Sequence, residues 1–183
     1  MPRLPYIADG DADSIPITAA VRARRGGKLL NLDRMLLNSP SLASCWNAYL
    51  GAIRGELALP PKLRELAICV VAVLNDAQYE FHHHAPELRR AGGTEAQLRA
   101  VELLGAGGDD PVSLDATGAF DATEAAVVAL TIRMTRRVSV DDATFNRLRT
   151  RLANDQWVVE LVGVIATYNM VSRFLVALGI EPE

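Results

Sequence analysis

Histidine occurs only at three adjacent positions, His82, His83 and His84, and nowhere else in the 183 residues. Successive helical side chains diverge by about 100°, so three in a row cannot converge on one ion, and no second histidine segment exists to complete a centre. No metal is therefore expected. Cysteine is almost as scarce. Cys45 and Cys69 make neither a disulfide framework nor a Cys-x-x-Cys pair, and they read as buried free thiols. Aromatic residues make up 5%, and 19 Lys and Arg stand against 22 Asp and Glu for a formal net charge of −3. A base-stacking platform and a phosphate-tracking surface are thereby disfavoured, and no nucleic-acid partner is expected. The one basic cluster, RARRGGK at 22–28, reads as a solvated helix end running into a Gly-Gly turn. No uninterrupted apolar run approaches the roughly 18 residues of a membrane span, so no membrane partner is expected. The opening MPRLPYIADGDADS has no basic region followed by an apolar core, which makes the cytoplasm the expected compartment.

What is present is helix. Half of the residues are apolar, and the length suits a single domain over 1–183. Ser39-Pro40 offers an N-cap and a first-turn proline, followed by Leu42, Trp46, Tyr49, Leu50 and Ile53 at helical spacing, ending near Gly55. Pro60-Pro61 opens a second helix through LRELAICVVAVLN, apolar all round at its end and so central to the core. Asn75-Asp76 interrupts it and is suited to cap the next helix, which carries the histidines as far as Gly92-Gly93. Thr94 with Gln97, and Asp121 with Glu124, form capping-box patterns. Gly105 is read as closing the helix that Thr94 opens, and GAGGDDPVSLDATGAF at 105–120 as an internal loop. Asp141-Asp142 starts a further helix, and the longest and most apolar runs from about Gln156 to Leu178. Only the short VSV at 138–140 has β-branched character. The fold class is all-α.

Helix geometry divides the histidine run. Glu80 and His84 lie one turn apart on a common face, and a carboxylate that accepts from an imidazole fixes its tautomer and raises its basicity. The same spacing is common on solvated faces, and His82 and His83 read that way, one facing solvent and the other packing or joining a subunit contact. Glu87, three residues beyond His84, would complete only a partial ligand set, which ranks below acid/base work. Pro86 in the same helix is expected to kink or restart it.

Taken with its neighbours, RELAICVVAVLNDAQYEFHHHAPELRRAGGTEAQLRAVE resembles the carboxymuconolactone decarboxylase family, whose superfamily also contains the alkylhydroperoxidase D proteins. The likeness is carried by the Arg-Glu-Leu start of the core helix, the Tyr-Glu-aromatic run before His, and the Ala-x-x-Gly after it. Its distinctive core is 60–104, and PSLASCWNAYLGAIRGELALPPKLRE and WVVELVGVIATYNMVSRFLVALGI extend the general pattern. Laying the peroxidase branch's Glu, Cys-x-x-Cys and His on this chain puts Glu65 at the glutamate and His84 at the histidine. Ala77 and Glu80 then occupy the two cysteine positions, so thiolate attack and disulfide closure cannot run there.

The resemblance implies an alkylhydroperoxidase D-like helical bundle and a cofactor-free enzyme acting on a small carboxylated lactone or ring-catabolism intermediate. His84 would be proton donor and relay, Glu80 its orienting partner, and Glu65 a second carboxyl from the neighbouring helix. The basic anchor is unassigned, because Arg64 points about 100° from Glu65. The resemblance also implies a homo-oligomer, commonly a trimer or hexamer. Two other readings stay open: an alkylhydroperoxidase-like antioxidant, which needs Cys45 or Cys69 as a low-pKa thiol, and a non-catalytic oligomeric family member.

Overall fold

A computed structural model describes residues 1–106 and 118–183 of the chain. Most of the internal loop expected at 105–120 lies outside the described residues. Among them the chain forms ten helices and no strand. They are α1 (Asp9–Ala12), α2 (Thr18–Arg24), α3 (Asn31–Leu36), α4 (Pro40–Gly55), α5 (Pro61–Leu74), α6 (Gln78–Arg90), α7 (Glu95–Ala106), α8 (Ala122–Arg137), α9 (Asp142–Arg149) and α10 (Asp155–Leu178). Two compact units arise, one of Met1–Leu57 with Leu175–Glu183, the other of Ala58–Phe174. The single domain read from the sequence spans both.

In the first unit the basic cluster is structural. Arg24 and Arg25 at the end of α2 both pair with the buried Asp33 of α3, at 3.5 and 3.1 Å. Two half-buried arginines of the cluster thus serve a buried carboxylate while Lys28 stays exposed, and Gly26 and Gly27 make the expected turn with φ of 70° and 94°. On α4 the buried stripe is Ala43, Trp46, Leu50 and Ile53, whereas Leu42 and Tyr49 are exposed. The two chain ends meet, with Arg3 N donating to Leu178 O at 2.9 Å.

The second unit is organised around α5. Every residue from Leu66 to Ala72 is fully buried, as an apolar run on all faces requires. α6, α7 and α8 pack against it. Leu66, Cys69 and Val70 meet Ala85 and Leu88 of α6, Leu98, Val101 and Leu104 of α7, and Val128 and Ile132 of α8. Each large side chain so buried contributes about 1.5–3 kcal/mol before entropy is counted. Gly105 sits inside α7 rather than closing it, and its missing Cβ leaves room for Val73 of α5, which a Cβ there would meet at 3.1 Å.

The α5–α6 corner sets the site. Asn75 and Asp76 finish α5 instead of capping α6: Asp76 takes a left-handed φ of 52°, and Ala77 N reaches back to Ala72 O at 2.8 Å. Such a closure satisfies the last carbonyls of a helix, and Asp tolerates the left-handed conformation better than most residues. The N-cap of α6 is Ala77, without a side-chain cap. α6 then runs unbroken through Pro86, so the expected restart does not occur. Pro86 lies on the exposed side, and the packing of Ala85 and Leu88 on α5 keeps the turn intact. Gly92, with φ of 92°, ends α6 as expected.

The capping boxes form as read. Thr94 N donates to Gln97 Oε1 at 3.1 Å and Gln97 N to Thr94 Oγ1 at 3.2 Å. Asp121 accepts from Glu124 N at 2.8 Å while Glu124 accepts from Asp121 N at 2.9 Å. Glu124 also pairs with Lys62 of α5 at 2.6 Å and accepts from Gln97 of α7 at 2.7 Å. That carboxylate ties three helices together. α10 is long and apolar enough to cross a bilayer by length and composition alone, yet half of the qualifying window is buried inside the protein. Core packing accounts for part of its apolarity.

Candidate functional site

Glu65 on α5 and His84 on α6 face each other because the two helices are packed side by side after the Asn75-Asp76 turn. His84 Nδ1 and Glu65 Oε2 are 2.7 Å apart, and both side chains are buried. An imidazole so placed donates Nδ1–H to the carboxylate, which leaves the acceptor lone pair on Nε2. Tyr168 of α10 meets the His84 ring edge-on, with centroids 4.9 Å apart, and fixes its plane.

Glu65 has a second partner. Arg64 Nε donates to its other oxygen at 3.1 Å, the long side chain folding back although the two residues diverge around the helix. Burial by itself would raise the Glu65 carboxyl, but the hydrogen bond and charge of His84, together with Arg64, outweigh it and hold the group below the usual carboxylate value. Glu65 is thus an ionised carboxylate buried beside a histidine.

Glu80 is corrected. Its hydrogen bonds go to Ser172 Oγ on α10, at 3.1 and 3.2 Å, and the carboxylate that orients His84 is Glu65. Burial pushes the Glu80 carboxyl well above its ordinary value. Two carboxyls near one histidine therefore have opposite environments, the pattern by which a site separates acid from base.

The other members of the run part company. His82 is exposed and points about 200° from His84 around α6. His83 stacks beside Tyr79 with ring centroids 4.4 Å apart. Glu87 pairs with Arg90, so Glu80, His84 and Glu87 do not converge. No group of three or more metal-ligating side chains occurs among the described residues. A cavity of about 490 Å³ opens where α5, α6 and α7 meet, with Val73, Leu74, Asp76, Phe81, His82 and Glu102 in its walls. It is lined by the His82 side of α6.

Cys69, one turn along α5 from Glu65, is fully buried, and burial with the nearby charge of Glu65 pushes its thiol far up. It is a thiol at any physiological pH, not a nucleophilic thiolate. Both cysteines are free, but Cys45 is exposed on α4 and not buried as its apolar neighbours suggest. We expect alkylation of the native protein to label Cys45 within minutes and Cys69 only after denaturation. Peptide mass spectrometry checks this, and rapid native labelling of Cys69 would contradict it.

Sequence reasoning missed Arg64, set aside on helical angle alone, and Tyr168 and Ser172, which lie in an apolar helix more than 80 residues from the histidines. No local pattern marks the last two.

Residues 40–119 match the model of the carboxymuconolactone decarboxylase family. No protein of curated function matches the chain in sequence. An uncharacterized peroxidase-related protein from Silicibacter sp. TM1040 shares the fold with a TM-score of 0.75 at 20% identity, over 100% of this chain and 94% of that one. A second, with an alkylhydroperoxidase D core, from Ralstonia eutropha JMP134, gives 0.73 at 18% identity over 100% and 92%. The debrominase Bmp8, solved in complex with 2,3,4-tribromopyrrole, gives 0.74 at 17% identity over 97% and 90%. The helical fold is thus shared with these structures along the whole chain, and residues 40–119 carry the pattern of the carboxymuconolactone decarboxylase family.

Proposed function

We propose that the protein is a cofactor-free acid/base enzyme that acts on a small carboxylated lactone or ring-catabolism intermediate by carbon–carbon lyase chemistry. The observation that carries this reading is the buried 2.7 Å pair of Glu65 and His84. In a decarboxylation the bond to the carboxylate breaks, carbon dioxide leaves, and the electron pair remains on the substrate as an enolate. A proton delivered to carbon from His84 Nε2 completes the reaction, and the Glu65 carboxylate stabilises the imidazolium from which that proton comes. Arg64, at the edge of the pair and already drawn to Glu65, adds positive charge where an anionic substrate would gain from it. A small ring is a fitting occupant of this fold, since the debrominase Bmp8 holds 2,3,4-tribromopyrrole.

The active form in this reading is a cytoplasmic homo-oligomer, a trimer or hexamer. The exposed apolar side chains Val159, Met170 and Val176 of α10 favour association. The antioxidant alternative is disfavoured by the buried, strongly raised Cys69 thiol and by Glu80 and Ala77 standing where the redox cysteines would be.

The test is a screen of purified protein against carboxylated lactones and related ring acids, with carbon dioxide release and product protonation in D₂O as readouts. Turnover that survives loss of both cysteines and needs no added metal or cofactor is the expected result. Peroxide reduction that depends on a cysteine, with no acid turnover, would overturn the reading.

A further inference from the structure

We infer that Ser172 is the positioning residue of a neutral carboxylic acid: Glu80 keeps its proton and donates it to Ser172 Oγ. The argument is an accounting of one hydrogen. A serine hydroxyl has one proton to donate and two lone pairs to accept with. Three oxygens surround Ser172 Oγ: the Tyr168 carbonyl at 2.7 Å, and the two Glu80 oxygens at 3.1 and 3.2 Å. The shortest contact is the back-bond to the carbonyl four residues earlier in α10, the usual use of a serine proton inside a helix. The hydroxyl then turns lone pairs toward Glu80, and an ionised carboxylate, which only accepts, would face them without a donor.

No other donor to Glu80 occurs among the described residues. Neither Lys nor Arg pairs with Glu80 among the described residues, and its side chain is 2% exposed. A buried carboxylate without a cation or a donor is far costlier than a protonated one that donates. The groups around it point the same way. Cys69 on α5 remains a thiol, Tyr168 and Ser172 on α10 are uncharged, and His84, one turn along α6, is committed through Nδ1 to Glu65. Burial drives the Glu80 carboxyl upward, in agreement with this geometry.

The consequence is a site with one negative charge instead of two. Glu65 alone balances the imidazole, and Glu80 sits one turn away as an acid, although its sequence position suggested a second carboxylate. The inference concerns protonation and does not depend on which substrate is turned over.

Infrared difference spectroscopy of the full-length protein in D₂O at neutral pH tests it. Subtracting the Glu80→Gln spectrum from that of the wild type is expected to leave the carbonyl stretch of a protonated carboxyl. Glu65→Gln should retain that band, and Ser172→Ala should move it to higher frequency by removing the acceptor. If Ser172→Ala does not fold, Ser172→Cys substitutes a much weaker acceptor and should shift the band in the same direction. Absence of a protonated-carboxyl band from the wild-type minus Glu80→Gln difference would overturn the inference. So would a band whose frequency is indifferent to the Ser172 substitution.

Discussion

The His84→Ala protein is expected to fold and to lose about 10²- to 10⁴-fold in kcat on the acid that the wild type turns over, the usual contribution of a positioned proton donor. The loss should fall on kcat more than on KM, since the imidazole acts on charge that develops during reaction and not on the resting carboxylate. His84→Gln refines the experiment. It fills the space beside Tyr168 and retains an amide donor toward Glu65, yet it has no group that titrates near neutrality. Equal impairment of the two variants would assign the defect to proton transfer rather than to the hole left by the ring. Unchanged turnover in a folded His84→Ala protein would remove the acid/base mechanism altogether.

Glu65→Ala should have the largest effect on stability, a loss of roughly 3–5 kcal/mol, typical of removing one partner from a buried charged pair. His84 Nδ1 and Arg64 Nε both lose their acceptor in that variant, and Arg64 is largely covered. Urea denaturation at neutral pH measures the loss, and Glu65→Gln should cost less because an amide oxygen still accepts from one of the two donors.

The pH dependence carries a sign that separates the two carboxyls. Glu65 is held below its unfolded value, so its stabilisation is present above the ordinary carboxylate range and is lost as pH falls through the lowered folded value. Wild type should therefore weaken in acid more steeply than Glu65→Ala. Glu80 is raised, so its stabilisation is present below the ordinary carboxylate range and is lost as pH rises through the raised folded value. A Glu65→Ala protein that matched wild type in stability across the acid range would show that the pair contributes nothing to the fold.

Much of this was legible beforehand, for local reasons. Prolines at the starts of α4 and α5, the Thr94–Gln97 and Asp121–Glu124 boxes, and Gly92 after α6 act within one turn of their own position. Such signals need no knowledge of the fold. The buried faces were less legible where two apolar stripes compete: on α4, Ala43 goes inside while Leu42 and Tyr49 stay out. Asn75-Asp76 has the composition of a helix start and is a stop. Both roles suit the same residue types, and only the backbone path decides between them.

At the site the same division holds. From the sequence alone came the helical class, the family resemblance, the absence of a redox cysteine pair, and Glu65, Glu80 and His84 as the residues to watch. Tertiary structure alone decided which carboxylate His84 would meet. Spacing along one helix proposed Glu80, a single turn away, but side-chain direction and the packing of α5 against α6 bring Glu65 to Nδ1, while α10 claims Glu80 through Ser172. A helix turn brings residues near one another; whether they bond depends on what the neighbouring helices place between them. Protonation follows from that placement, since desolvation and partners are properties of the packed interior and not of the chain.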